Sequence, residues 1–174
     1  RAASYTHSQN KADALNLAHM LDNCSRCPAV VIAKVHGAAF GGGAGLVAAA
    51  DVAVGVDGCK FAFSEVKLGL IAATISTVVV DKIGRGHARS LFATGEIFGT
   101  DKAYDIGLIH DKAATDEDAE EIIQKKLKAI LAAGPEAVHK SKLLALGAPF
   151  TLEETADKLA DIRASEEAKE GIAA

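Results

Sequence analysis

The stretch "VHGAAFGGGAGLVAAADVAVGV", Val35 to Val56, sets three consecutive glycines between two apolar runs. Glycine inside a regular element costs roughly 0.5–1 kcal/mol relative to alanine. A chain otherwise rich in Ala, Val and Leu therefore needs a reason to place Gly41, Gly42 and Gly43 together. Either the backbone turns there as side chains forbid, or something approaches the backbone closely. Upstream, "PAVVIAKV" (28–35) is a β-branched run opened by Pro28, which predicts a buried strand. Downstream, "AGLVAAA" (44–50) predicts a small, tightly packed helix and "DVAVGV" (51–56) the next strand, closed by an Asp57-Gly58 turn. The glycines thus mark a strand-to-helix turn.

That turn is not a phosphate loop, because no Gly-Lys-Ser/Thr follows it. It is not the dinucleotide pattern G-x-G-x-x-G either: counted from Gly41 and Gly43, the third position is Leu46. What remains is a set of backbone N–H groups at a helix N-terminus, a place that stabilises negative charge on a ligand oxygen. Where the charge develops during a reaction, such a place is an oxyanion hole. Close helix–strand packing explains the same glycines, and both readings stay open here. Further on, "KFAFSEVKLGL" (60–70) sets Glu65 after Phe61 and Phe63. A carboxylate among apolar side chains suits acid–base work near neutrality. The plainer alternative is a solvated strand-end carboxylate loosely paired with Lys67.

The rest of the chain reads as an α/β core with a helical tail. Apolar residues Ala12, Leu15, Leu17, Ala18 and Leu21 predict an amphipathic helix over 9–26. "KFAFSE" (60–65) predicts another extended piece. Helices are expected near 74–82, 86–94 and 101–106, and "LIH" (108–110) as a last short strand. Three tail helices are expected near 116–133, 136–147 and 151–169, the last opened by a Thr151/Glu154 capping box.

At 174 residues the chain is long enough for one domain with a real core. A net charge of −4 argues against nucleic acid or anionic membrane as partner. No uncharged stretch reaches membrane-spanning length, and Arg1 is followed by no signal-peptide pattern. A cytoplasmic location is the expectation. "CSRC" (24–27) is a C-x-x-C, but it lacks the second ligand pair of a zinc site and ends a helix rather than opening one. No metal and no separate cofactor are expected, and the thiols fit a reducing compartment. The chain opens on Arg1 rather than Met, and both ends read as cut.

These residues together resemble a known family. "AKVHGAAFGGGAGLVAAADVAVG" (33–55), "KFAFSEVKLGLIAATIS" (60–76), "ARSLFATGEIFGTDKAYDIGLIH" (88–110) and "SEEAKEGIAA" (165–174) are similar to the crotonase (enoyl-CoA hydratase/isomerase) superfamily. Within it, "GGGAGL" with "SEVKLGLIAATIS" is most similar to bacterial methylglutaconyl-CoA and carboxygeranoyl-CoA hydratases. The resemblance implies a spiral of ββα units, here 1–113 with the N-terminal part apparently missing, and a helical trimerisation segment over 114–174. It implies an acyl-CoA substrate, coenzyme A being part of it, and a homotrimer or hexamer (a dimer of trimers). The thioester carbonyl would be held by the Gly42 N–H and by a second donor upstream of Arg1. Substrate contacts would fall at Ala39, Phe40, Gly41, Ile71 and Thr74. Two-glutamate hydratases carry carboxylates at positions matching Gly45 and Glu65, so this chain keeps only Glu65, and Gly45→Glu is expected to restore the second. The implied activity is hydration of a branched or carboxylated 2-enoyl-CoA by a single glutamate. The alternatives are a Δ3,Δ2-enoyl-CoA isomerase and an inactive crotonase-fold binding protein. His36 reads as a candidate second base, or as a hydrogen-bonding residue that fixes the turn.

Overall fold

Two glycine turns set the architecture of the computed structural model, which describes residues 5–173. Strand β1 (Ile32–Val35) gives way at Gly37, whose φ of 76° lies in the left-handed region, and the chain enters β2 (Ala38–Phe40). Helix α2 (Gly42–Ala49) follows. The step then recurs: β3 (Val52–Val56) turns at Gly58, φ 81°, into β4 (Lys60–Ala62). The first strand of each pair joins one sheet and the second joins another. Ile32 lies opposite Val52 in parallel pairing, and Ala38 opposite Lys60, also parallel. The Lys60 N–H donates to Gly37 O at 2.8 Å, which ties one turn to the next. A 3-10 turn (Glu65–Leu68) and helix α3 (Ala73–Thr94) close the second unit as α2 closes the first. The chain therefore advances by repeated ββα units.

Strand β5 (Phe98–Gly99) pairs antiparallel with β4, and after helix α4 (Thr100–Asp105) strand β6 (Asp111–Ala113) pairs parallel with β3. The two sheets run β1-β3-β6 and β2-β4-β5. Small residues of α2 (Ala44, Val47, Ala48 and Ala49) are buried, as are Ile75, Val79 and Ile83 of α3. Phe61 and Phe63 are fully buried. Phe61 stacks on Phe98 at 5.8 Å, and Phe63 meets Phe92 edge-on at 5.3 Å. This aromatic cluster anchors the strand that leads into Glu65.

The chain divides into two compact units, one of residues up to 123 without 28–30, the other of 28–30 with 124–174. Helix α5 (Asp116–Leu131) contains the boundary. The second unit holds α6 (Pro135–Gly147), α7 (Leu152–Arg163) and α8 (Glu166–Ala173). The capping box read from sequence is present: Thr151 Oγ1 accepts from the Glu154 N–H at 3.1 Å, and Glu154 Oε2 from the Thr151 N–H at 2.7 Å. Those bonds hold the Glu154 carboxyl below its usual value. Glu167 of α8 caps α6 in a different way, its two oxygens accepting from the Glu136 and Ala137 N–H groups at 2.9 and 2.8 Å. A side chain at Gly134 would overlap that carboxylate.

Several elements differ from the sequence reading. The expected helices at 74–82 and 86–94 are one helix, α3, bent at Gly84 (φ 74°, ψ 158°). "LIH" is not a strand, because the Leu108 and Ile109 N–H groups both donate to Ala103 O, at 2.9 and 3.2 Å, and close the end of α4. The last tail helix is two, since Ser165 Oγ accepts from the Ala168 N–H at 3.2 Å and starts α8. Helix α1 (His7–Ser25) covers Leu17, Ala18 and Leu21 but leaves Ala12 and Leu15 exposed. Pro28 lies outside β1, and β2 is an element the sequence reading lacked. The extended piece at 60–65 stops at Ala62, so Glu65 starts a 3-10 turn instead of ending a strand.

Candidate active site

Gly41 is the N-cap of α2, with φ 51° and ψ −119°, a conformation that side chains resist. Its N–H donates to Ala62 O at 2.9 Å, so β4 holds the turn in place. Gly42 is the first residue of the helix, and no side chain caps that end. The N–H groups of the first turn therefore have no intrahelical acceptor, and the helix dipole adds partial positive charge there. Gly43 is exposed, with open space where a side chain would stand.

Glu65 comes to this end of the helix from β4. The buried Phe61 and Phe63 fix the strand exit, and the 3-10 turn is closed by the Lys67 N–H on Ser64 O and the Leu70 N–H on Glu65 O, both 3.0 Å. The result places Glu65 Oε1 3.3 Å from where a Cβ on Gly41 would lie. Any larger residue at 41 would press on the carboxylate as well as strain the backbone. Glu65 Oε2 is buried and has no hydrogen-bond partner among the described residues. A buried polar atom left unpaired costs about 1–3 kcal/mol. The Glu65 carboxylate lies against Gly41, the N-cap of α2. The stem of Lys67 lies against Gly95.

The position expected to take a second carboxylate is closed. A Cβ on Gly45 would meet Ile75 Cγ2 at 2.7 Å and Leu21 Cδ1 at 3.5 Å, so Gly45 lets α2 pack against α3. The expectation that Gly45→Glu restores a two-carboxylate site is corrected by that contact. Nothing in the sequence spacing pointed to Ile75 as the side chain filling this place.

The remaining expected residues lie on several elements. Ala39 is buried in β2 and, with Gly43, Cys24, Lys34 and His36, lines a cleft of about 340 Å³. Phe40 is half-exposed beside it in sequence, and Ile71 is 78% exposed in the segment before α3. Thr74 sits in the first turn of α3, next to the Ile75 that meets Gly45. The structure thus brings Gly41 and Glu65 into contact, whereas His36 faces the β1–α2 cleft that Glu65 does not line. Lys34 of that cleft holds the Asp116 carboxyl below its usual value, chiefly through a 2.9 Å ion pair, and His36 adds a smaller effect in the same direction. The second-base reading of His36 finds no geometric support.

Cys59 is buried and donates its thiol to Val35 O at 3.1 Å, and burial pushes that thiol up. Among the described residues no group of three or more His, Cys, Asp or Glu is placed to hold a metal ion. None of their helices is long and apolar enough to cross a membrane.

With this geometry in view, comparison with known proteins is direct. Residues 2–173 match the family model for enoyl-CoA hydratase/isomerase, and the chain belongs to that family. Its fold is the mixed α/β crotonase fold: the solved enoyl-CoA hydratase from Shewanella pealeana superposes with a TM-score of 0.91 at 36% identity, covering 98% of this chain and 65% of that one. The enoyl-CoA hydratase ACTT6 of Alternaria alternata is 36% identical over 118 residues, 68% of this chain and 40% of that protein. The enoyl-CoA isomerase/hydratase fer4 of Mycosarcoma maydis is 31% identical over 140 residues, 79% of this chain and 51% of that protein. The chain spans between two-fifths and two-thirds of the length of these relatives.

Proposed function

We propose that the chain carries the proton-transfer site of an enoyl-CoA hydratase. The observation that carries this reading is the buried, unpartnered Oε2 of Glu65 beside the uncapped N-terminus of α2. The thioester oxygen of a 2-enoyl-CoA accepts the Gly42 N–H, so negative charge developing on that oxygen meets a fixed donor at the positive end of a helix. Glu65 takes a proton from water as the oxygen adds to Cβ, and returns that proton to Cα. One water is added across the double bond, and the carboxylate is regenerated. Ala39, Phe40, Gly41, Ile71 and Thr74 are the substrate contacts in this proposal. The resemblance of "GGGAGL" and "SEVKLGLIAATIS" to methylglutaconyl-CoA and carboxygeranoyl-CoA hydratases supports a branched or carboxylated acyl chain. The exposed Leu68, Leu70 and Ile71 after Glu65 offer apolar surface for its hydrocarbon part.

A second reading, Δ3,Δ2-enoyl-CoA isomerase, is favoured by Ile75 standing where a second carboxylate would be, since one carboxylate suffices to move a proton between carbons. Absorbance of crotonyl-CoA and 3-methylglutaconyl-CoA separates the two. Hydration removes the conjugated chromophore and is the expected result. Unchanged absorbance with both, together with gain of the chromophore from a 3-enoyl-CoA, would replace the hydratase reading by the isomerase one.

The proposal includes self-association as a trimer or a dimer of trimers. Leu144, Leu146, Leu152, Leu159 and Ile172 of α6–α8 are exposed, Leu152 at 91%, which is more apolar surface than a solvated helical segment needs. Light scattering of the full protein should give a trimer or hexamer mass. A monodisperse monomer would contradict it.

A further inference from the structure

Lys82 lies near the middle of α3, half-buried, with Nζ 3.0 Å from Ala50 O and 3.3 Å from His110 Nε2. The other ring nitrogen is committed, because His110 Nδ1 accepts the Ala53 N–H at 2.9 Å. A neutral imidazole whose Nδ1 accepts carries its proton on Nε2. An ammonium at Lys82 would then set donor against donor across 3.3 Å. The free amine suits both contacts of Lys82: its lone pair accepts the Nε2–H, and one of its own hydrogens goes to Ala50 O. Burial pushes Lys82 in the same direction, below the usual lysine value, with the Asp51 carboxylate opposing. A lysine held as free amine is a nucleophile toward carbonyl compounds.

We propose that Lys82 is a self-acylation site, its amine taking the acyl group of a coenzyme A thioester while His110 Nε2–H steadies the carbonyl oxygen. The amine nitrogen attacks the thioester carbon and a C–N bond forms. The Nε2–H passes from the lone pair to the developing oxyanion. The C–S bond then breaks, and coenzyme A leaves as a thiolate that takes up, through solvent, the proton lost by the amine. The product amide keeps one N–H for Ala50 O and offers its carbonyl oxygen to Nε2–H, so acylation strands no polar group. His110 is exposed, which opens the site to a thioester from that side. The inference rests on the proposed function only for a supply of acyl-CoA, since the chemistry does not use Glu65.

The test is peptide mass spectrometry of the full chain incubated with acetyl-CoA near neutral pH. Lys82 is expected to be acetylated at least about tenfold faster than the exposed Lys60 and Lys102, and His110→Ala to slow Lys82 alone by about tenfold or more. Glu65→Gln should leave the rate at Lys82 unchanged even where it abolishes hydration, which separates this proposal from the hydratase reading. A rate at Lys82 no greater than at Lys60 and Lys102 in the unsubstituted chain overturns the proposal.

Discussion

Glu65→Gln in the full protein is expected to lower kcat on its best 2-enoyl-CoA by about 10²–10⁴-fold, the usual contribution of a positioned acid or base. Fold and acyl-CoA affinity should survive. The amide is isosteric with the carboxylate, the 3-10 turn is closed by backbone bonds that do not involve the side chain, and the Gly42 N–H is untouched. The effect should therefore fall on kcat rather than on binding. Gly45 offers no carboxylate, and His36 lines the β1–α2 cleft that Glu65 does not line, so among the described residues no other base is seen against Gly41. Near-wild-type turnover in the variant would make Glu65 a structural residue.

Gly45→Glu is expected to destabilise the protein by about 3 kcal/mol or more, read as a lowered urea midpoint. Its Cβ alone would stand 2.7 Å from Ile75 Cγ2, and both residues are buried. Overpacking of this kind costs about 1–3 kcal/mol, and a carboxylate forced into the same apolar contact adds its own desolvation. The coupling is specific to the pair. On an Ile75→Ala background the same substitution should cost less, and a double-mutant cycle measures the difference. Undiminished stability of Gly45→Glu alone would show that the α2–α3 contact yields, and would reopen the two-carboxylate site.

How far the sequence went can be judged at these same residues. Gly41–Gly43 mark the strand-to-helix turn because the conformation at Gly41 is a local backbone demand, and local demands are written in residue type. The Thr151/Glu154 box was legible for the same reason: its two hydrogen bonds span only three residues. Glu65 stood out as a carboxylate between apolar residues, but its contact with Gly41 is made by a tertiary approach that spacing does not encode. Ile75 was invisible as a partner of Gly45, since the two meet only when α2 and α3 pack. Strand β2 was missed because three residues are too few to show a period, and what defines it is pairing with β4. In "LIH" Leu108 and Ile109 are buried, but the expected strand does not form. The backbone of Leu108 and Ile109 is spent on Ala103 O, a bond that hydropathy cannot reveal.

The central claim, that Glu65 alone carries the proton to and from the substrate, is tested most directly by isotope incorporation at Cα. The full protein and its Glu65→Gln variant would be incubated with a 2-enoyl-CoA in D2O, and the acyl-CoA products analysed by mass spectrometry. The account predicts that the unsubstituted protein places one deuterium on Cα of the 3-hydroxyacyl product, and that the variant does so about 10²–10⁴-fold more slowly. Equal rates of deuterium incorporation in the two proteins would contradict it.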